Sequence, residues 1–282
     1  MSNSFFENRS LLIATKHGKE KIIAPLLEKN FDVKCFVDVD FDTDTLGTFT
    51  GEIERKLDPI ANARQKCLLA MEANSCDLGM ASEGSFGPHP TLFFASADDE
   101  FLIFIDKKND LEIIVRELST DTNFNGSEIK NEQELLAFAE QAKFPSHGLI
   151  LRKSKTDFED IIKEIPSLEA LKKAFHRLQK KQGSIYAETD MRAHYNPTRM
   201  EVIEKAAQKL VDKIKSRCPE CSAPGFGVTS AIEGLPCSSC GSPTRSTLSY
   251  EYRCQKCNFT QEKLYPHKKT TEDPTFCDYC NP

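Results

Sequence analysis

Apolar residues recur with strand-like and helix-like spacings through residues 1–215. The continuous apolar run at 10–15 (SLLIAT) is typical of a buried strand, whereas the apolar residues of 20–29 return every three or four positions, which predicts a helix. At 33–41 apolar residues alternate with aspartates, which indicates a strand with one acidic, solvent-facing side. Asp58 followed by a proline is typical of the start of another helix.

The same two spacings continue to residue 215. Further strands are predicted over 77–82, 91–95, 101–106 and 111–118, and further helices over 132–142, 158–164, 168–181 and 199–215. Thr198 is the expected N-cap of the last helix. We therefore expect an α/β domain over residues 1–215, with a mixed sheet and flanking helices, and a small zinc-ribbon-like domain over 216–282.

Composition and charge narrow the class of protein. Of the 282 residues, 39% are hydrophobic, which can support the cores of two domains. The strongly apolar stretches are short, as at 101–105, so we expect no membrane span, and the first ten residues lack the apolar stretch of a secretory signal. We therefore expect a cytoplasmic protein.

The charge balance disfavours a protein that coats nucleic acid. The formal net charge is −6, and from Ser216 onward seven Lys/Arg residues are balanced by seven Asp/Glu residues. A neutral tail lacks the basic footprint of a phosphate-backbone binder. Nucleic acid thus remains a possible but disfavoured partner, and the sequence does not identify a protein partner.

Eight of the eleven cysteines lie near the C-terminus as four C-x2-C pairs. These pairs are Cys218/Cys221, Cys237/Cys240, Cys254/Cys257 and Cys277/Cys280. The first two pairs are 15 residues apart and the last two are 19 apart, which is typical of zinc ribbons. Two structural Zn²⁺ ions, each held by four thiolates, are therefore predicted in preference to disulfides, since a cytoplasmic protein keeps its thiols reduced. Sequential pairing of the four C-x2-C motifs is the simpler arrangement, and an interleaved one is the alternative.

A first group of candidate site residues lies in the N-terminal half. The loop 15–19 joins a predicted strand to a predicted helix, where backbone N–H groups favour an anion, and Lys19 and Lys66 could bind phosphate. Asp44, Glu52 and Glu83 are oxygen ligands of the kind that hold Mg²⁺.

Glu83 opens the segment 83–90 (EGSFGPHP), which is rich in glycine and proline. A carboxylate at the carboxyl end of a strand lies where open α/β sheets bind ligands. His89, in the same segment, is a second candidate. The alternative is a tight turn with a solvated acid.

These residues resemble those of the inosine triphosphate pyrophosphatase superfamily. The resemblance covers 10–95 and rests on 62–66 (NARQK) on a helix, an acidic loop before it, and 82–84 (SEG) after a strand. It implies Mg²⁺-dependent hydrolysis of unusual nucleoside triphosphates to monophosphate and pyrophosphate. The superfamily's opening Ser/Thr-x-Asn-x-x-Lys and its Asp-x-Gly are altered here, to 15–20 (TKHGKE) and 83–85 (EGS).

A second group lies at 188–200 (ETDMRAHYNPTRM). Asp190, Arg192, His194 and Arg199 bind anions or transfer protons in many proteins. The alternative is structural, with an Asp190–Arg192 ion pair at the start of a helix. Together with 83–90 and the terminal cysteine pairs, this segment resembles a mostly bacterial family of unknown function across nearly the full length.

Two functional hypotheses follow. In the first, the chain is a metal-assisted hydrolase of nucleotides or related phosphorylated small molecules, in which Asp44, Glu52 and Glu83 position Mg²⁺ and His194 or His89 is an acid, a base or a hydrogen-bond donor. Lys19, Lys66, Arg192 and Arg199 would hold the phosphates. In the second, the chain is a non-catalytic protein that binds a nucleotide, a nucleic-acid end or a protein partner. A hydrolase fold that has lost its chemistry is a third possibility.

Overall fold

The computed structural model describes residues 5–38, 57–157, 160–182 and 184–282. The chain divides into two compact units. The α/β unit comprises Met1–Lys108 and Ile114–Leu210, and the cysteine-rich unit comprises Asn109–Ile113 and Val211–Pro282. Within the described ranges, no helix is both long and apolar enough to cross a membrane.

A five-stranded mixed sheet lies mainly in the α/β unit, and the first residues of its last strand belong to the cysteine-rich unit. The strands are β1 (Ser10–Ala14), β2 (Lys34–Phe36), β3 (Leu78–Pro88), β4 (Ser96–Asp106) and β5 (Leu111–Ser119), in the order β2-β1-β3-β4-β5. Strand β1 is parallel to β2 and β3, and β3 is antiparallel to β4. The predicted α/β class with a mixed sheet and flanking helices is therefore confirmed.

Two helices, α1 (Glu20–Phe31) and α2 (Pro59–Ala73), come from the same part of the chain. Helix α2 begins as its sequence predicts, because the Asp58 carboxylate accepts hydrogen bonds from the N–H groups of Ile60 and Ala61, both at 3.0 Å. Its apolar side, including Met71, packs in a common core with residues of β1, β3 and β4.

A second, antiparallel sheet completes the α/β unit. It contains β6 (Gly126–Ile129), β7 (Leu149–Arg152) and β8 (Ile185–Thr189) in the order β6-β8-β7. Helices α3 (Glu132–Gln141) and α4 (Leu168–Gln182) contribute to the core beside it, and α5 (Pro197–Lys215) follows β8.

Three predicted strands differ from the structure. Strand β3 runs to Pro88, so Glu83 lies within a strand and not in a loop after one. No strand forms over 91–95, because these residues make the turn that joins β3 to β4, in which Ala95 N–H donates to Leu92 O at 2.9 Å. Of the strand predicted over 33–41, β2 covers only Lys34–Phe36, and residues from 39 onward lie outside the described ranges.

Two helix predictions are also corrected. Residues 160–164 are not helical: Ile162 makes an antiparallel bridge to Leu151, and Pro166 disfavours helical conformation in the residue before it. Residues 158 and 159 lie outside the described ranges. Helix α5 is capped by Asn196, whose Oδ1 accepts from Arg199 N–H at 3.0 Å, so Thr198 is a helical residue and not the N-cap.

The cysteine-rich unit contains a three-stranded antiparallel sheet. Its strands are β9 (Gly227–Glu233), β10 (Thr247–Arg253) and β11 (Thr260–Leu264), with β10 in the centre. A small core beside the sheet contains Phe226, Tyr252 and Phe259 together with two of the cysteines. The four cysteine pairs lie before, between and after these strands.

Candidate ligand site and metal centres

The eight paired cysteines form two tetrads. One contains Cys218, Cys221, Cys254 and Cys257, and the other contains Cys237, Cys240, Cys277 and Cys280. Within each tetrad, all four sulfur atoms lie within 4.8 Å of one another. The prediction of two four-cysteine clusters that could hold metal ions is therefore confirmed.

The distances between sulfur atoms fit a metal ion and exclude disulfides. The Sγ atoms of Cys218 and Cys257 are 3.6 Å apart, and those of Cys237 and Cys280 are 3.9 Å apart. A disulfide bond measures about 2.0 Å. Four thiolates about 2.3 Å from a tetrahedral metal ion would be about 3.8 Å apart, which agrees with the spacing in both tetrads.

The pairing of the cysteine motifs is interleaved, so the simpler sequential arrangement is wrong. The first motif joins the third, and the second joins the fourth. The antiparallel sheet explains this: because Gly227 at the start of β9 pairs with Arg253 at the end of β10, the motif before β9 lies beside the motif after β10. At the other end, Cys237 bridges to Glu272, near the fourth motif.

Each of the first three motifs ends in a left-handed residue. Ser222, Gly241 and Asn258 follow the second cysteine of their motifs, with φ values of 59°, 73° and 59°. Their N–H groups donate to the carbonyl of the first cysteine at 2.9–3.0 Å, which turns the chain so that both thiolates point to one side. Glycine and asparagine tolerate this conformation well, which is a sequence signal for the turn.

In the α/β unit, four of the predicted site residues lie in a buried cluster of charged side chains along β3 and β4. They are Lys19, Lys66, Glu83 and Arg199, and all four are at most 8% exposed. We call these residues, together with Ser82, Asp98 and Glu100, the ionic cluster. Asp98 and Glu100 belong to β4 and were missed by the sequence analysis.

The position of the cluster follows from where β1 ends. Strand β1 pairs with β3 only up to Ala14, opposite Ala81, and the chain then leaves the sheet as the loop 15–19. Lys19, at the end of this loop and the start of α1, donates from Nζ to Ser82 Oγ at 3.0 Å. The edge of β3 beyond Ala81 therefore faces a loop and a lysine, and not a further strand.

Glu83 and Ser82 point to opposite faces of the sheet, because successive residues of a strand alternate. On the face covered by α2, Glu83 accepts from Lys66 Nζ at 2.5 Å and from Asn62 Nδ2 at 3.1 Å. On the other face, Ser82 contacts Lys19. The two buried lysines thus approach the same strand from its two sides.

Arg199 lies in the first turn of α5, and its side chain reaches the face of the sheet on which Ser82 contacts Lys19. Its Nε donates to Glu100 Oε1 at 2.6 Å, its NH1 donates to Met191 O, and its guanidinium lies 5.0 Å from the ring centre of Phe86. Gly84 is paired with Glu100 across the two strands. A Cβ atom at Gly84 would lie only 2.4 Å from Glu100 Oε1 and 2.5 Å from Arg199 NH2, so the pair needs a glycine here.

Asp98 and Glu100 are two positions apart on β4 and therefore face the same side. Both are 0% exposed, and neither oxygen of Asp98 has a hydrogen-bond partner among the described residues. Burial, and then the nearby charge of Glu100, raise the pKa of Asp98 to about 8. The site can therefore hold a carboxylic acid in its neutral form near neutral pH.

The electrostatics of Lys19 are also altered by burial. Desolvation lowers the pKa of its ammonium to about 8, although the carboxylate of Glu100, 3.9 Å from Nζ, acts in the opposite direction. An incoming anion would restore the favourable interaction that the ammonium group has lost with water. Such a lysine is suited to bind a negatively charged ligand group.

The other predicted site residues of 188–200 are Asp190, Arg192 and His194, and they make their contacts outside the ionic cluster. Arg192 NH2 binds Asp190 Oδ2 at 2.7 Å, and Arg192 NH1 binds Glu164 Oε1 at 3.1 Å. The exposed ring of His194 stacks on His17 of the loop 15–19, with 5.0 Å between ring centres. Partial desolvation, and then the charge of Arg192, lower the pKa of His194.

His89 lies at the end of the β3–β4 hairpin. Its Nδ1 accepts hydrogen bonds from the N–H groups of Thr91 and Leu92 at 3.1 and 2.9 Å. These bonds organise the turn, and no contact links His89 to the ionic cluster among the described residues.

Of the three predicted Mg²⁺ ligands, Glu83 alone lies within the described ranges. Asp44 and Glu52 lie outside the described ranges. Within those ranges, the two cysteine tetrads are the groups in which three or more metal-binding side chains come together, and both oxygens of Glu83 are engaged by Lys66 and Asn62.

The chain belongs to the DUF6671 family, a domain of unknown function, whose model matches residues 66–282. The match covers more than three quarters of the chain and includes both tetrads, Lys66, Glu83 and Arg199, whereas Lys19 precedes it. A comparison with curated protein sequences gives no match.

Proposed function

We propose that this DUF6671 protein binds structural Zn²⁺ in both tetrads and uses its α/β unit to bind and hydrolyse a phosphorylated small molecule of the nucleotide class. The observation that carries the second part is the approach of two buried lysines, Lys19 and Lys66, to the segment Ser82–Glu83 from opposite sides of β3. Buried cations held near an open strand edge are typical of functional sites.

Zinc is the metal that a set of four thiolates favours. Tetrahedral Cys₄ sites in proteins hold zinc or iron, and the paired C-x2-C spacing is that of zinc ribbons. Four protein ligands leave no open position for a water or a substrate, so the role of both ions is structural. Thiolate ligands persist in a reducing compartment, which supports a cytoplasmic location.

A phosphorylated ligand fits the charges along β3. Lys19 stands at the N-terminus of α1, where the helix dipole adds a partial positive charge, and Arg199 offers the planar guanidinium that phosphate groups prefer. Lys19 and Arg199 are at most 4% exposed, so few water molecules hydrate them. An anion bound at the edge of β3 would therefore interact with both cations at little cost in lost hydration.

Hydrolysis is the reaction that the position of Glu83 supports. Lys66 and Asn62 fix this carboxylate beside the cationic edge, where it could orient a water molecule toward a bound phosphorus atom. The water oxygen would form a new bond to phosphorus while the bond to the leaving phosphate breaks, and the proton that the water gives up would pass to a phosphate oxygen. The lysines and Arg199 would stabilise the charge on the leaving group.

Phosphate and pyrophosphate release from ordinary and deaminated nucleoside triphosphates tests this function. The assay uses the zinc-loaded protein with Mg²⁺, with Mn²⁺ and with neither, and compares Glu83→Gln with the control Glu128→Gln, an exposed acid on β6. We expect release that falls at least tenfold in Glu83→Gln and is unchanged in the control. Equal release by the unmodified protein and Glu83→Gln would remove Glu83 from the reaction.

Binding without hydrolysis is the second candidate, and the ionic cluster itself favours it. Three cations (Lys19, Lys66, Arg199) face two ionised carboxylates (Glu83, Glu100), because Asp98 keeps its proton, so the cluster carries one excess positive charge that a bound anion would neutralise. Ligand-induced shifts in the melting temperature, without product release, would identify this function. A nucleic-acid end as the ligand would be recognised by a steep loss of affinity with salt.

A further inference from the structure

A cavity of about 820 Å³ lies in the α/β unit, and its lining includes no residue of the ionic cluster. Hydroxyl and amide side chains dominate its lining, among them Thr122, Asn125 and Gln141, and the acids Asp121 and Glu201 outnumber the one lysine, Lys143. The chemistry of this lining favours an uncharged, polar ligand over a phosphate.

Thr198, another lining residue, is connected to a buried histidine. Its Oγ1 lies 2.9 Å from His147 Nε2, and His147 Nδ1 lies 3.0 Å from Ser146 Oγ. The hydroxyl of Ser146 donates to Lys143 O at 2.6 Å. Because that proton is committed, Ser146 Oγ must accept from His147 Nδ1–H.

The directions of these hydrogen bonds determine the state of the imidazole. With its proton on Nδ1, His147 presents a lone pair at Nε2, and the Thr198 hydroxyl donates to it. His147 is 5% exposed, and this burial lowers its pKa, which keeps the ring neutral. A hydroxyl, a neutral base and a group that orients the base are the parts of an activated nucleophile.

We propose that Thr198 is a nucleophile activated by His147, and that the cavity is a second active site, which hydrolyses carboxylic esters of polar alcohols. In the first step, Thr198 Oγ1 bonds to the ester carbonyl carbon and its proton passes to His147 Nε2. The imidazolium then protonates the alcohol as the carbon–oxygen bond breaks. Water attacks the acyl group, gives one proton to Nε2, and that proton returns to Thr198 as the acid leaves.

Two features would lower the activation energy of this reaction. Thr198 is the second residue of the 19-residue helix α5, whose dipole stabilises negative charge at its N-terminus. Lys143, in the same lining, is the cation available to the oxyanion of the tetrahedral intermediate. A purely structural role is the competing explanation, because His147 Nε2 also accepts from Thr198 N–H at 3.4 Å and so caps the helix.

Ester hydrolysis by the full chain separates the two roles. The probes are 4-methylumbelliferyl acetate and a fully acetylated monosaccharide, tested on the unmodified protein, Thr198→Val, Thr198→Ser and the control Thr91→Val, an exposed threonine of the β3–β4 turn. We expect Thr198→Val to lose at least tenfold in rate, Thr198→Ser to retain the rate within threefold, and the control to be unchanged. A rate in the unmodified protein no higher than that of Thr198→Val overturns the proposal.

A second measurement does not depend on the folding of any variant. The unmodified protein is quenched with acid during turnover of 4-methylumbelliferyl acetate, and the acetyl group is mapped by peptide mass spectrometry. We expect the modification on Thr198. Acetyl groups found only on lysines or on other residues would overturn the role of Thr198 as nucleophile.

Discussion

Arg199 Nε lies 2.6 Å from Glu100 Oε1, and both side chains are 0% exposed. The two residues are 99 positions apart in sequence and belong to α5 and β4. A charge buried to this degree needs its partner, because removing one member leaves the other charged in a medium of low polarity. The ion pair therefore links the first turn of α5 to the sheet.

Replacing Arg199 by methionine is expected to destabilise the protein by about 3–5 kcal/mol, measured by urea unfolding. The control is Arg116→Met, which removes an ion pair between Arg116 and Asp99. The side chain of Arg116 is 49% exposed, so this pair is much less buried. We expect about 1 kcal/mol or less for this control. The double change Arg199→Met with Glu100→Gln should recover part of the loss, and equal effects of the two arginine changes would argue against the buried pair.

A side chain at Gly84 is expected to disturb the Arg199–Glu100 ion pair. Gly84→Ala would place its methyl group 2.4 Å from Glu100 Oε1, so the ion pair must shift, at a cost of about 1–3 kcal/mol. Gly87→Ala is the matched control on the same strand, because a Cβ there meets no atom within 4 Å. Thermal unfolding of the two variants is the measurement, and equal melting temperatures would contradict the close approach at Gly84.

Asp98 is expected to make the protein less stable as pH rises from about 4 to about 8. Over this range the unfolded chain has an ionised Asp98, whereas the folded protein, in which the pKa of this group is raised to about 8, retains the proton. The folded state then binds more protons than the unfolded state, so the free energy of unfolding decreases with pH.

The substitution Asp98→Asn replaces the protonated carboxyl group by an uncharged amide of the same shape, which does not titrate. We expect this variant to lose that part of the pH dependence and to be more stable than the unmodified protein at pH 8, as measured by urea unfolding at several pH values. An unchanged slope in Asp98→Asn would contradict the raised pKa. The matched control, Asp99→Asn, alters a partly exposed neighbour on the opposite face of β4.

Pairs of cysteine substitutions report the interleaved pairing of the tetrads. Cys218→Ser with Cys254→Ser damages one tetrad, so we expect one Zn²⁺ per chain to remain, whereas Cys218→Ser with Cys237→Ser damages both and should leave none. A sequential arrangement gives the opposite result. Metal content by mass spectrometry is the measurement, with Cys76→Ser as the control because this cysteine belongs to neither tetrad.

Local patterns predicted many of the elements but also a strand over 91–95 that does not form, and they missed β6, β7 and β8. The Asp58–Pro59 pair correctly predicted the start of α2, and the cysteine spacing correctly predicted two tetrads. Strand β3 extends to Pro88 because its residues pair with β4 as far as Ser96, and no local spacing reports that pairing. For the same reason, the interleaved order required knowledge of the antiparallel sheet.

The buried acids of β4 could not be found from their own sequence. Asp98 and Glu100 lie in 96–101 (SADDEF), which is typical of a solvated turn, and only the register with β3 places Gly84 and Phe86 opposite them. Arg199 was predicted to bind phosphate, but its partner Glu100 depends on a contact across 99 positions. Such long-range pairs carry no periodic signal.

The most direct test of the phosphate site is isothermal titration of the zinc-loaded protein with a non-hydrolysable nucleoside triphosphate, compared with Lys19→Met and the control Lys130→Met, an exposed lysine before α3. We expect binding by the unmodified protein and the control, and an affinity at least tenfold lower in Lys19→Met. Absence of binding, or equal affinity in all three proteins, would contradict a phosphate site at Lys19 on β3.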